Sequence, residues 1–432
     1  MPDPTLASRV HDTAAGPARL LLLPTGVRDV VSFRGSFESG PDLGAADDLV
    51  QSLMTQALDK GTRRRGRFEI AEDLEGRGAQ VAFYSDGLRV GFSGRALRDD
   101  LAHVLGVVAE ELREPALSDD EVEKAVRRAT ASVRRSREST GTQASGTLAR
   151  RLFGPAHPDY VLDPDDEMAR LEALRPDDVR AYHAAHVGST GLTLAVVGDL
   201  DVAAAEAAAG AAFDDWARTA SAPTFEDTAR PAQPGRTDVE MADRRNLDVR
   251  LGHAVALRRD DPDFLATYAG VFALGGNFSG RLMQTVRDEQ GLTYGVSASL
   301  GSVSTRHDGR VYVAVTLSQE NLDRGIAATR AEVEGFVADG LTEEALAQTR
   351  TTLAGQHVVS LATTGGVAAR LLVNAERGFD VDYLDRYPTL VSALTVGEVD
   401  AAVRRHLRPS DLHVVVAGTL PDGTLGKTPA GV

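Results

Sequence analysis

The chain of 432 residues has no cysteine, one tryptophan and fewer basic than acidic residues. Without cysteine it can form neither a disulfide nor a zinc site with thiolate ligands. Its 47 Lys and Arg face 63 Asp and Glu, which gives a formal net charge of −16. An acidic chain is a poor match for nucleic acid or for an anionic membrane surface. We therefore expect neither as a partner.

Long apolar runs are also missing. No stretch reaches the roughly 18 apolar residues of a membrane-spanning helix, so we expect no membrane span. The run LLLL at 20–23 is too short for the apolar core of a signal peptide, and no basic start precedes it. These features favour a cytoplasmic location.

The chain contains an internal repeat. Residues 174–200 align without a gap with residues 394–420, and Gly198 falls on Gly418. Each copy predicts a helix, a turn and a buried strand that ends at glycine. Because this repeat is far longer than a solenoid unit, it indicates two homologous domains.

A proline-containing stretch of low apolar periodicity, residues 217–240, predicts a linker between these domains. The sequence therefore predicts an N-terminal domain at 1–216 and a C-terminal domain at 241–432. Within each, predicted strands alternate with paired helices, and a hairpin is expected at Asp86-Gly87. The predicted fold class is α+β, with two tandem homologous domains, each a mixed β-sheet covered by helices.

Two groups of potential metal ligands have ordinary structural explanations. His183 and His186 lie three residues apart on a predicted helix, but no third ligand accompanies them. The acidic residues between Asp163 and Glu167 lack the spacing of a calcium-binding loop, so a helix cap is favoured. The basic run 63–67 could contact an acidic partner, although a solvated loop is the simpler interpretation.

The segment 274–296, LGGNFSGRLMQTVRDEQGLTYGV, is the most distinctive part of the chain. Its glycine-rich turn, 275–280, precedes a predicted helix, 281–287, and could approach a substrate backbone closely. Arg287 and Tyr294 follow, seven residues apart. The segment resembles the C-terminal-domain signature of the pitrilysin/insulinase-type zinc peptidases, which include the mitochondrial processing peptidases.

The resemblance extends over nearly the whole chain. The segment that begins GTRRRGRFEIAEDL and the motif LFGPAHPDY are similar to family segments in the same order. The resemblance implies the family fold, with two homologous α+β domains in each half-molecule. Four such domains, from one chain or two, enclose a peptide chamber in this family.

The family's zinc motif, HxxEH, is absent. In this alignment the two histidine positions hold Ser52 and Gln56, and the position of the general base holds Thr55. A hydroxyl and an amide are poor zinc ligands, and threonine cannot accept a proton near neutral pH. We therefore expect no metal and no cofactor on this chain.

A shift in the alignment cannot restore the motif, because no histidine lies between His11 and His103. The further glutamate ligand that the family draws from a later helix falls near Ser132 or Val133. Neither residue is a zinc ligand.

The resemblance implies a role in substrate binding for the residues of segment 274–296. Arg287 and Tyr294 would hold the scissile peptide and stabilise the oxyanion that develops on it. Gly275, Gly276, Asn277 and Phe278 would contact the substrate; these are the substrate-binding residues that we predict. The alternative for Arg287 and Tyr294 is an ordinary ion pair and ordinary packing.

The sequence thus predicts half of an active site. We expect a non-catalytic, substrate-binding subunit of a heterodimeric zinc metallopeptidase, with zinc on a homologous partner chain that carries HxxEH. The substrates would be peptides or unfolded polypeptides. The main alternative is a structural or assembly core protein of the same fold with no peptidase role. A third is a self-contained enzyme or a peptide-binding homodimer with an unrecognised site.

Overall fold

The computed structural model describes residues 5–40, 47–219 and 224–421. The strands are β1 (His11–Ala15), β2 (Ala18–Pro24), β3 (Val30–Glu38), β4 (Gln80–Ser85), β5 (Arg89–Leu97), β6 (Thr193–Gly198), β7 (Gly235–Glu240), β8 (Asn246–Val255), β9 (Thr293–Gly301), β10 (Gly309–Ser318) and β11 (His413–Gly418). The first seven helices are α1 (Asp47–Thr55), α2 (Arg67–Gly76), α3 (Leu101–Arg113), α4 (Asp119–Arg137), α5 (Thr140–Leu152), α6 (Pro164–Ala173) and α7 (Pro176–His186). The others are α8 (Val202–Phe213), α9 (Phe264–Gly275), α10 (Leu322–Asp339), α11 (Glu343–Ser360), α12 (Thr364–Glu376), α13 (Tyr383–Ala393) and α14 (Val396–His406).

The chain forms two compact units that do not follow its linear order. The first unit comprises Met1–Ala131, Ala169–Phe225 and Gly355–Thr389. The second comprises Ser132–Met168, Glu226–Ala354 and Leu390–Val432. The sequence-derived boundaries mark the duplication and stay a prediction, because each compact unit takes segments from both sides of the predicted linker.

The first unit is built on a six-stranded sheet of order β1-β2-β6-β3-β5-β4. Strand β2 lies parallel to β6, whereas its other neighbour β1 and the pairs of β3 are antiparallel. Leu21 and Leu23 pack in one core cluster with Leu371 of α12. Leu20 and Leu22, also fully buried, point to the opposite face, because successive residues of a strand alternate. The LLLL run is therefore a strand that is covered on both faces.

The second unit repeats this plan with a five-stranded sheet of order β7-β11-β8-β10-β9. Strand β11 is parallel to β7 and antiparallel to β8. Val415 and Ala417 of β11 pack against Leu148 and Phe153 of the α5 region in one core cluster. Helices α9 and α14 pack on each other, and α9 also packs on β9.

The internal repeat predicted from the sequence is confirmed in three dimensions. Its first copy forms α7 and β6, and its second copy forms α14 and β11. Gly198 and Gly418 end the two strands with φ angles of 149° and 145°. A side chain at Gly198 would collide with the carbonyl oxygen of Val30, which explains the glycine at this position.

Each sheet is covered on one face by a helix that is distant from it in the sequence. Helix α12, from the C-terminal half of the chain, packs on β3 and β6 of the first unit. Helix α5, from the N-terminal half, packs on β8 and β11 of the second unit. Each half of the chain thus contributes one helix to the unit that is built mainly from the other half. We call α5 and α12 the exchanged helices.

Other local predictions are confirmed or adjusted. The hairpin at Asp86-Gly87 forms between β4 and β5, and Gly87 has a φ of 89°. Helix α1 ends at Thr55, so Gln56 lies just beyond it. The last part of the predicted linker is strand β7, whose mostly polar sequence gave no apolar signal.

Among the described residues no single helix is both long and apolar enough to cross a membrane. By length and composition alone the bent pair α11 and α12 passes, with 112° between its two helices.

Candidate functional site

Tyr294 lies on a β-bulge in the edge strand of the second unit. Strand β9 pairs only with β10 in the described sheet, and their register shifts between Val315 and Leu317. Because Val296 pairs with Val315 and Thr293 with Leu317, Tyr294 and Gly295 together face one residue, Thr316. A bulge of this kind redirects a side chain out of the regular alternation. The side chain of Tyr294 is 99% exposed.

The hydroxyl of Thr293 holds this bulge. It donates a hydrogen bond to the carbonyl oxygen of Thr316 at 2.6 Å, and it accepts one from the backbone N–H of Gly295 at 3.1 Å. Thr293 itself is buried. The exposure of Tyr294 is therefore a fixed feature of the strand.

The glycine-rich turn lies beside this bulge because α9 ends there. A β-carbon at Gly275 would lie 2.6 Å from the backbone nitrogen of Ala298, so glycine permits the close packing of α9 on β9. The helix predicted over 281–287 is a π-helix at Met283–Glu289. Its wide turn is marked by a bond from Gln290 N–H to the carbonyl of Thr285. Such π-turns are frequent at functional sites.

These elements enclose a groove of about 440 Å³, which we call the Tyr294 groove. Its lining includes Gly275, Gly276, Asn277 and Phe278 from the turn and Tyr294 from β9. The structure thus brings together all four predicted substrate-binding residues and one of the two predicted catalytic residues. Whether any of them contacts a substrate stays a prediction.

Arg287 is not part of the groove lining but lies next to it. Its guanidinium carbon is 4.8 Å from the ring centroid of Phe278, a cation–π distance. Its Nη1 is 3.4 Å from Oδ1 of Asp288. Phe278 lines the groove and is 70% exposed. Because its ring contacts Arg287, it connects that residue to the groove. A guanidinium and a phenol are hydrogen-bond donors that suit a developing oxyanion.

Sequence reasoning missed two charged residues in the floor of the groove. Asp248 and Arg250 of β8 line it, and Arg250 Nη1 lies 3.3 Å from Asp248 Oδ1. Thr140 and Thr316 donate to the two oxygens of Asp248 at 2.7 and 3.1 Å. The alternation in NLDVRL could have shown them, because the charged residues share one face of the strand.

In the first unit, α1 and the residue after it hold the positions that we predict to correspond to the zinc ligands of the family, and that correspondence stays a prediction. Gln56 Nε2 donates to Ser52 Oγ at 3.3 Å, so the side chains of these two residues lie on one side of the turn. The Thr55 hydroxyl donates to the carbonyl of Gln51 at 2.8 Å and is buried. Gln51 in turn bonds to the backbone of Gly87 in both directions. The helix turn is present, but its polar groups satisfy one another.

Ser132 and Val133 lie on α4 in the second unit. They line a small cavity of about 170 Å³ together with Gln143, Arg150 and Glu167. This set has a single carboxylate and no histidine. It is not a zinc site.

The other candidates from the sequence take structural roles. His183 Nε2 lies 2.8 Å from the carbonyl of Leu112, and burial lowers the pKa of His183. The ring of His186 packs edge-on against Tyr182. Arg65, in the basic run, bridges Asp73 and Glu110. The acidic cluster includes a helix cap, with Asp163 Oδ1 accepting from Asp165 N–H at 3.0 Å.

One trio in the second unit has the composition of a metal site: the buried His157 and His307 with the half-buried Asp159. Burial lowers the pKa of His157 to about 4 and raises that of Asp159. The backbone N–H of Asp159 donates to His157 Nδ1 at 3.0 Å. Neutral His157 therefore carries its proton on Nε2, and its second nitrogen offers no lone pair to a metal. We do not assign a metal to this trio.

Comparison with known proteins supports the resemblance that the sequence indicated. Residues 173–353, which include the turn and Tyr294, match the family model described as the peptidase M16 inactive domain. An uncharacterized zinc protease of Streptomyces coelicolor is 25% identical over 398 residues, which cover 90% of this chain and 83% of the relative. The predicted resemblance to the M16 peptidases is therefore confirmed, and the matched model is that of an inactive domain.

One further relative and one solved structure are similar to this chain over most of its length. The non-peptidase homolog YmxG of Helicobacter pylori is 21% identical over 90% of this chain and 88% of its own length. The crystal structure of a peptidase M16 inactive domain from Pseudomonas fluorescens superposes with a TM-score of 0.85 at 23% identity, over 98% of this chain and all of that one. That structural match confirms the predicted α+β fold.

Proposed function

We propose that this chain is the non-catalytic, substrate-binding subunit of a heterodimeric zinc metallopeptidase. A homologous partner chain with HxxEH would hold the zinc, and this chain would supply Arg287 and Tyr294. Zinc on the partner would polarise the scissile carbonyl and activate water. The substrates would be peptides or unfolded polypeptides.

The exposure of Tyr294 carries this proposal. A tyrosine normally buries much of its ring, and one that is 99% exposed on a bulge held by Thr293 contributes little to packing. Its position beside the backbone of Gly275 and Gly276 suits an extended peptide. An extended peptide could also pair with β4 or β9, the edge strands that face no further strand among the described residues.

Cytoplasmic location remains part of this proposal. One structural neighbour, which matches 97% of this chain with 46% of its own length, is the periplasmic protease PqqL of Escherichia coli. Fractionation of cells that express the natural gene would decide between the two compartments.

The test is hydrolysis of an internally quenched peptide by this chain, by the HxxEH-bearing homologue and by their mixture. We expect activity only in the mixture. Tyr294→Phe should lower kcat/KM roughly 100-fold, because one oxyanion donor is lost. Arg324→Gln, an exposed substitution on α10 outside the groove, is the matched control and should have no effect.

Size-exclusion chromatography of the same mixtures separates the alternatives. If Tyr294→Phe and Arg287→Gln leave both the complex and its activity intact, the structural or assembly role replaces our proposal. If the homologue is fully active alone, the split active site is wrong.

A further inference from the structure

Another cavity lies in the first unit. It measures about 460 Å³ and lies between α2, α3 and the start of β4. Ile70 and Leu74 of α2 and Val81 of β4 give it an apolar lining. We call it the Glu111 cavity, because Glu111 of α3 also lines it.

Glu111 is a buried carboxyl group without a balancing charge. The residue is 1% exposed, and its Oε2 has no hydrogen-bond partner among the described residues. Burial, followed by the charge of Asp59, raises its pKa to about 8. The nearby cation Arg65 is already held by Glu110 at 2.6 Å and Asp73 at 2.9 Å. A buried, unpaired carboxyl is costly unless a cation meets it.

The charges around the cavity favour a cation as that partner. Asp59 and Glu75 line it along with Glu111, whereas Arg67 is the single basic residue of the lining. Arg67 Nη1 lies 2.9 Å from Glu121 Oε1, so this guanidinium is already paired. An anion would be repelled here by the carboxylates of Asp59 and Glu75.

We propose that the Glu111 cavity binds a protonated amine carried on an aliphatic stem, with Glu111 as its counter-ion. The stem would lie along Ile70, Leu74 and Val81, as lysine stems lie along apolar surfaces. Because Oε2 is covered in the unbound protein, the end of the glutamate side chain rotates toward the cavity when the amine enters. The ion pair stabilises that rotated position.

Two sources present this chemistry. One is a free alkylamine. The other is a lysine side chain of an extended polypeptide that pairs with β4, since Gln80 and Val81 at the start of this edge strand line the cavity. This second source rests on the proposed peptide-binding function, and the first does not.

Binding should be linked to proton release. Glu111 is mostly protonated at pH 7, and an ammonium group beside it favours the carboxylate. Affinity should therefore increase from pH 6 to pH 8. Asp59 and Glu110 oppose the ionisation of Glu111, whereas Arg65 and Lys60 favour it.

Calorimetric titration of the full chain tests the proposal. The probes are n-butylammonium and two blocked pentapeptides, Ala-Ala-Lys-Ala-Ala and its norleucine analogue, which differ only in the terminal amine. We expect the lysine peptide to bind at least 10-fold more tightly at pH 8. Glu111→Gln should abolish this preference, and Glu72→Gln, an exposed carboxylate on the same helix as Ile70, should keep it.

The outcomes separate the two proposals. Equal binding of both peptides overturns the amine site and leaves peptide binding intact. Binding of n-butylammonium that depends on Glu111, without binding of either peptide, supports the amine site and counts against the peptide function. No binding of any probe overturns the amine site. A circular-dichroism melt of Glu111→Gln, a near-isosteric change, verifies that the variant folds.

Discussion

Each sheet has two edge strands among the described residues, and one edge of each, β4 in the first unit and β9 in the second, ends a similar sheet in a different way. Strand β4 pairs with β5 in unbroken register from Gln80 to Ser85. Strand β9 has the bulge that exposes Tyr294. A regular edge offers backbone groups to an extended chain, whereas a bulged edge offers a particular side chain. The same architecture therefore presents two kinds of surface.

The helix ends near these two edges also differ in how much of their side chains they leave exposed. At the end of α1, in the turn that we predict to correspond to the zinc motif, Ser52 and Gln56 hydrogen-bond to each other. The turn after α9 leaves Phe278 and its contact with Arg287 exposed. Metal-binding capacity can disappear through a few side chains without loss of the fold, because those side chains are not part of the apolar core.

The largest expected effect concerns the exchanged helices. Leu371→Ala in α12 and Leu148→Ala in α5 each remove a side chain that is at most 2% exposed from an equivalent core. Each should lower the free energy of unfolding by about 2–5 kcal/mol. Urea unfolding followed by circular dichroism measures both. Val359→Ala, at a site 74% exposed, is the control and should cost less than about 0.5 kcal/mol.

The number of unfolding transitions shows whether the two units unfold independently or together. If the units unfold independently, each substitution moves only one of two transitions. If they unfold together, both substitutions move one shared transition by similar amounts. A cost below about 1 kcal/mol for either leucine would contradict the equivalence of the two helices.

Glu111 gives the next effect, and its sign depends on pH. Its pKa is raised from 4.5 to about 8. Between these two pH values the folded protein therefore keeps a proton that the unfolded chain has released. Stability from this group is complete below pH 4.5 and is lost as pH rises through 8. Glu111→Gln should therefore be more stable than the natural protein at pH 8, by about 4 kcal/mol, with the difference vanishing near pH 4. Thermal melts across this pH range measure it, and a constant difference would show that burial does not raise this pKa.

Much of this architecture is readable in the sequence because it is local. The repeat and the hairpin at Asp86-Gly87 both follow from periodicity and turn residues. The turn and Tyr294 meet in one groove, as their placement within one short segment suggested.

Features that depend on distant segments could not be read in this way. No local sequence pattern shows which sheet a helix packs on, so the packing of α5 on the second sheet and of α12 on the first could not be predicted. The bulge at Tyr294 arises from a register shift against β10. The burial of Glu111 could have been predicted from the sequence. It lies four residues after Val107 and three after Val108, on the apolar face of α3, where a carboxyl group is unusual.

The caps of the exchanged helices provide the finest comparison. Ser139 Oγ accepts from Thr142 N–H at 3.2 Å at the start of α5, and Thr363 Oγ1 accepts from Gly366 N–H at 3.0 Å at the start of α12. Ser139→Ala and Thr363→Ala should each cost about 1 kcal/mol, because each leaves one N–H of the first turn unsatisfied. Ser139→Thr and Thr363→Ser retain the cap and serve as controls in the same urea experiment. Similar costs at both sites would show that the duplication extends to the local energetics of the helix ends, whereas a cost at one site alone would confine the equivalence to the packed cores.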